Sequence, residues 1–201
     1  MSDNAQVSVA NPLPFGLLCY GVSVFVLSGF LWGKLQPNPA IGYALFAGGV
    51  GMFLAGAAAY RAGNTFATTV LAGYGAFWSS TAFYLWFFAG KSANMSADLA
   101  WIAVAWGLFT LYMFVASLRT GLPAVQLLLG LLFILFLFLW LQMAFNIGTW
   151  ALKVAAVAGI VSAVDAGIES FREVMASLPP AAPRAATARP QAPTVTPRPA
   201  V

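Results

Sequence analysis

Tyr74, Phe77 and Thr81 recur at i, i+3 and i+7, a spacing that puts them on one face of a helix. Trp78, Ser79, Ser80 and Tyr84 surround them, so the stretch mixes aromatic rings with weak hydrogen-bonding groups. Such a face can exchange part of a small solute's hydration for ring edges and hydroxyls. Two further clusters precede apolar runs: Asn11-Pro12-Leu13-Pro14-Phe15-Gly16-Leu17 and Gly63-Asn64-Thr65-Phe66. Asn11 can cap a helix by accepting from an orphan amide, and Pro12 fits the first turn because it has no amide to satisfy. The positive end of that helix dipole also favours an anion, so the cluster reads either as plain capping or as a solute mouth. Gly63 can end one helix, with Asn64 or Thr65 capping the next.

Ionisable chemistry is scarce. Asp165 is the only carboxylate within an apolar run, followed at helical spacing by Glu169 and Arg172. Buried in a membrane it is a candidate proton relay. If the helix leaves the membrane there, Ser162, Asp165, Glu169 and Arg172 form a wet stripe with Glu169 and Arg172 paired. The chain has no histidine and a single cysteine, Cys19. Zinc and haem sites, disulfide scaffolds and histidine-based triads are therefore excluded, and a second carboxylate facing Asp165 is missing. The sequence predicts neither an enzyme nor a bound metal or cofactor.

The elements that position these residues follow from composition. Of the 201 residues, 61% are hydrophobic and 7% charged, against about a quarter charged in soluble domains. A bilayer is the solvent in which such surface costs nothing. The net charge of +4 is spread over loops and a tail, and calls for no nucleic-acid partner. Met1 to Ala10 contain Asp3 and no Lys or Arg, so the basic start of a signal peptide is missing.

Six segments approach the roughly 20 apolar residues a spanning helix needs: Phe15–Trp32, Ile41–Tyr60, Ala67–Ala89, Leu99–Leu118, Pro123–Phe145 and Thr149–Phe171. The fold class is an all-α integral membrane protein of six transmembrane helices with both termini on one side. Its parts are a start segment over 1–14, a six-helix domain over 15–171, and a helix end with a disordered Pro/Ala/Arg-rich tail over 172–201. One side of the membrane receives Arg61, Arg119, Arg172 and Arg184, the other Lys34, Lys91 and Lys153, which favours cytoplasmic termini. Ala47, Gly51, Ala55 and Ala59, and again Ala155, Gly159, Ala163 and Gly167, form small-residue stripes. They serve either a subunit interface or packing within one bundle. Phe25, Phe30, Trp86, Phe87 and Trp140 are expected to face lipid or the interfacial belt, and Gln126, Gln142 and Asn146 to bridge helices or line a pore.

Asn11 to Leu17, Gly63 to Phe66, Tyr74-Gly75-Ala76-Phe77-Trp78 and Trp106-Gly107-Leu108-Phe109-Thr110-Leu111-Tyr112-Met113-Phe114 resemble the signatures of the acetate uptake transporter family. The matches run in order from Asn11 to about Arg119. The resemblance implies six helices around a pore within each subunit, a hexameric ring in the cell's inner membrane, and uptake of acetate and related short carboxylates, succinate among them. It covers both proton-coupled carriage and channel-like permeation. It also implies a constriction of a Phe, a Tyr and a Leu, which fall here at Tyr20, Tyr74 and Leu132, or Leu131 one position earlier. Leu13 and Phe15 depart from the first motif and are expected to narrow the mouth. Asp165 stands where similar proteins carry uncharged residues. Transport of another small solute such as ammonia, and a non-transporting oligomeric scaffold whose tail recruits partners, are the competing readings.

Overall fold

The computed structural model describes residues 10–179; the tail expected to be disordered from Pro179 onward lies outside the described residues, apart from Pro179 itself. Every element is helical. Helix α1 spans Leu13–Leu31, and a second rod joins α2 (Pro37–Tyr43), a π-helical stretch (Ala44–Gly51) and α3 (Met52–Arg61). Then come α4 (Thr65–Phe87), a single 3-10 turn (Ala89–Lys91), α5 (Met95–Ser117), α6 (Pro123–Phe145) and α7 (Trp150–Ser177). Pro37 and Pro123 open their helices, where a missing amide costs nothing. Asn64 and Asn94 cap α4 and α5, each accepting from the amide three residues on. Gly63 ends α3 at φ +72°, a left-handed turn that side chains disfavour.

Five of the rods are long and apolar enough to cross a membrane. The exception is α4: at 23 residues it has the length, but its serines, threonines and tyrosines dilute its apolar character. The second rod starts four residues earlier than Ile41, and α7 runs six residues past Phe171.

The rods form a ring. α1 packs between the second rod and α7; α4 lies against the second rod; α6 lies between α5 and α7. The α4–α5 seam has little backbone contact and is filled by side chains, Phe109 reaching over Gly73. The core lies on the shared axis.

The small-residue stripes are used inside the subunit. Ala55, Ala59, Ala155, Gly159 and Ala163 are buried, and a Cβ on Gly159 would strike Ser28, Leu135 and Val24 of α1 and α6. Gly167 alone in the second stripe is exposed. Phe25, Phe30, Trp86 and Phe87 face outward as expected. Trp140 instead packs partly against the core, covered by its neighbours in the bundle.

Candidate functional site

The centre of the ring is closed by aromatic rings. Tyr20 on α1 and Tyr74 on α4 are 2% and 1% exposed, with ring centroids 6.4 Å apart. Tyr74 meets Phe109 edge-on at 5.1 Å and Trp106 at 6.3 Å. Phe77, one turn along α4, meets Trp106 at 5.1 Å and Phe136 at 5.2 Å. Leu132 on α6 is 3% exposed in the same core, whereas Leu131 is only partly buried. Elements from α1, α4, α5 and α6 thus converge on one plug.

Two hydroxyls anchor the plug. Tyr20 Oη pairs with Ser162 Oγ of α7 at 2.6 Å, and Ser162 Oγ donates to the Leu128 carbonyl of α6 at 3.2 Å. Tyr74 Oη pairs with Thr110 Oγ1 of α5 at 2.8 Å, while Thr110 donates to its own Trp106 carbonyl. The family resemblance singles out Tyr20 and Tyr74 but not their partners Thr110 and Ser162. A threonine or serine inside an apolar helix is the available signal, and it is weak because such groups usually bond their own backbone.

The hydroxyls of α4 divide. Exposed Ser80 on the outer face donates to Ala76 and Phe77 carbonyls of its own helix. Back-bonding satisfies it without a partner or solvent. Thr81 does turn in: its Oγ1 is buried and unpartnered among the described residues.

The two helix-start clusters lie away from the plug. Asn11 Oδ1 accepts from the Leu13 amide at 3.1 Å and its Nδ2 donates to Glu173 at 2.9 Å, with Pro12 as the flanking residue and Pro14 in the first turn. The cap therefore sits one residue earlier than a standard N-cap, because Pro12 occupies that place. Ser170 donates to the Pro14 carbonyl, tying α7 to this start. Gly16 is buried where a Cβ would meet Leu71 and Ala55, so it lets three rods approach. Phe15 does not narrow an inner mouth. It is 48% exposed and lines an outer groove of about 610 Å³ with Leu18, Glu173 and Val174. Asn64 and Thr65 are exposed at the start of α4, Asn64 accepting from Ala67 at 2.9 Å.

Gln126 bridges helices, donating to the Ser117 carbonyl of α5. Gln142 and Asn146 build the α6–α7 turn instead, with Asn146 in the left-handed region at φ 49°. The expected wet stripe on α7 divides. Ser162 is fully buried, Asp165 is part-buried with Oδ2 sealed and unpartnered, and Arg172 pairs with Glu169 at 2.5 Å near the surface. Among the described residues no cluster of side chains could hold a metal.

Comparison with known proteins gives matches to one family and to a solved structure. The GPR1/FUN34/yaaH family matches residues 1–178. The Escherichia coli succinate-acetate/proton symporter SatP is 32% identical over 117 residues, 57% of this chain and 62% of that protein. The Saccharomyces cerevisiae ammonia transport outward protein 2 is 34% identical over 121 residues, 55% of this chain and 43% of that one. The matched stretches thus span less than two thirds of each of these two relatives. The solved structure of the bacterial acetate channel SatP superposes with a TM-score of 0.78 at 26% identity, covering 84% of this chain and 93% of that one.

Proposed function

Because the chain belongs to the GPR1/FUN34/yaaH family, we propose that it is a membrane conduit for acetate and related short carboxylates. All six rods span the bilayer in this reading, with α4 tolerated because Tyr74 and Thr81 turn into the bundle while Thr68, Thr69 and Ser80 bond their own backbone. Both termini lie in the cytoplasm, and the cell's inner membrane holds the protein. The relatives named as a succinate-acetate/proton symporter and an acetate channel support the solute class.

One observation carries the mechanism: Tyr20, Tyr74 and Leu132 are buried together in a ring of rods, the two phenols tied to different helices. The constriction holds no fixed cation, so an organic acid binds weakly and passes through when the rings swing aside. Ring edges and the hydroxyls of Tyr20, Tyr74 and Thr110 then stand in for part of its hydration.

The small-residue stripes are consumed within the subunit, so a homo-oligomeric ring, six-membered by family resemblance, must form through outward side chains such as Phe46, Phe53 and Trp101.

The test is flux of labelled acetate into liposomes, with ammonium and longer monocarboxylates as competitors. Tyr74→Ala removes the largest fully buried side chain and widens the constriction. Preference for acetate over butyrate should fall by about tenfold, the scale set by one or two methylenes in a fitted pocket. Unchanged flux and preference at equal reconstitution would remove Tyr74 from the path. Flux of ammonium without acetate would favour the ammonia reading.

A further inference from the structure

Among the described residues, two buried side-chain polar atoms have no hydrogen-bond partner, Thr81 Oγ1 and Asp165 Oδ2. They flank the aromatic plug. Thr81 lies two turns beyond Tyr74 along α4, and Asp165 lies one turn beyond Ser162 along α7, which runs the opposite way. A missing bond on a hydroxyl is a modest cost, but on a carboxylate it is severe.

Every nearby donor is already used. The Tyr20 hydroxyl donates to Ser162, and Ser162 donates to the Leu128 carbonyl. Asp165 nevertheless lies one helical turn from Ser162, the partner of the Tyr20 hydroxyl. The charged groups nearest it on α7, Glu169 and Arg172, act on it in opposite senses and are paired with each other, the Arg172 side chain 68% exposed. Of the helices packed on α7, α6 contains no titratable residue, and α1 contains only Tyr20 and Cys19, the latter packed on Gly51. What Oδ2 lacks is an O–H donor, and the solutes proposed above carry one when undissociated.

Building on the conduit reading, we propose that Asp165 is a proton-sharing station beside the constriction. A short organic acid halts there only when one proton lies between its carboxyl group and that of Asp165. Two carboxylates at hydrogen-bond distance cannot both be ionised, so an acid anion arriving without a proton is repelled. The proton arrives with the solute, bridges the two oxygens, and leaves on the solute. Asp165 is then ionised again, and one neutral acid has crossed.

The experiment is acetate exchange at equal pH on both sides of liposomes, over about pH 6 to pH 8, with protein-free leakage subtracted. The wild-type rate should fall by about tenfold per pH unit above the titration of the station. Asp165→Asn, which offers an amide donor, and Asp165→Ala, which removes the charge, should both flatten the slope to less than about twofold over the range. Glu169→Gln should keep the wild-type slope. A steep slope surviving in both Asp165 variants overturns the station while leaving the conduit intact. Wild-type flux no greater than leakage overturns the conduit and the station together. A dependence on Asp165 seen for methylammonium but not for acetate assigns the site to an amine cation and overturns the proposal.

Discussion

Gly75→Ala tests the packing that holds Tyr74 in place. Gly75 crosses the second rod so closely that a Cβ would stand 2.7 Å from Phe53 N, 2.9 Å from Phe53 Cα and 3.0 Å from the Gly49 carbonyl. Non-bonded carbon contacts settle at about 3.5–4.0 Å, so the rods must part by roughly half an ångström or more. All three obstructing atoms are backbone, and no side chain can rotate away. Overpacking of this kind costs about 1–3 kcal/mol; the rigid neighbours place it near the top of that range. Alanine recovers up to about 1 kcal/mol of helix propensity, leaving a net loss of about 1–2 kcal/mol. In a chain of this size that lowers the midpoint of thermal unfolding by roughly 2–8 °C. Gly167→Ala is the control: it too is helical, but its Cβ would meet nothing within 4 Å. It should gain stability, so the two substitutions differ in sign. Tryptophan fluorescence during heating in one detergent reads both. Equal midpoints, or a more stable Gly75→Ala, would refute the close crossing of α4 and the second rod.

Two further outcomes follow from the structure. Asn64→Ala removes the cap on the Ala67 amide and should cost about 1 kcal/mol by the same melting assay, with acetate flux per folded molecule unchanged. A loss of flux out of proportion to stability would give Asn64 a direct role in the path. Deleting residues 180–201 should leave flux intact, since the family match ends at residue 178; abolished flux would favour the scaffold reading, in which the tail does the work.

The rods were legible because lipid imposes a simple rule: every backbone group must be satisfied within its own helix, so length and apolar character mark the spans. Pro123–Phe145 matches the sequence reading at both ends. The C-terminal end of α7 and the starts of the second rod and of α5 were missed, because a helix that leaves the membrane continues on polar residues no longer governed by that rule. The constriction was legible only through resemblance. Periodicity put Tyr74 and Phe77 on one face, but nothing local says that Tyr20 and Tyr74 meet, or that Thr110 and Ser162 receive their hydroxyls. Those are pairings across more than 30 residues of chain. Phe15 shows the opposite failure: its place in the motif suggested a mouth, while the outward face of α1 decides where its ring goes.

The hydroxyl bonds separate scaffold from moving part. Ser28, Thr68, Thr69 and Ser80 each donate to a carbonyl four residues back, and so close on their own helix. At the plug the pattern changes, and the two phenols reach to α7 and α5. A ring held to its own helix would move only with that helix. A ring held by one bond to a neighbour can swing when that bond breaks. Such interhelical bonds in a membrane contribute about 0.6–2 kcal/mol each. Releasing both phenols therefore costs about 1–4 kcal/mol, which corresponds to an open population between about 10% and 0.1%. On the conduit reading, that is shut enough to limit leakage and open often enough to pass solute without any large rearrangement of the rods.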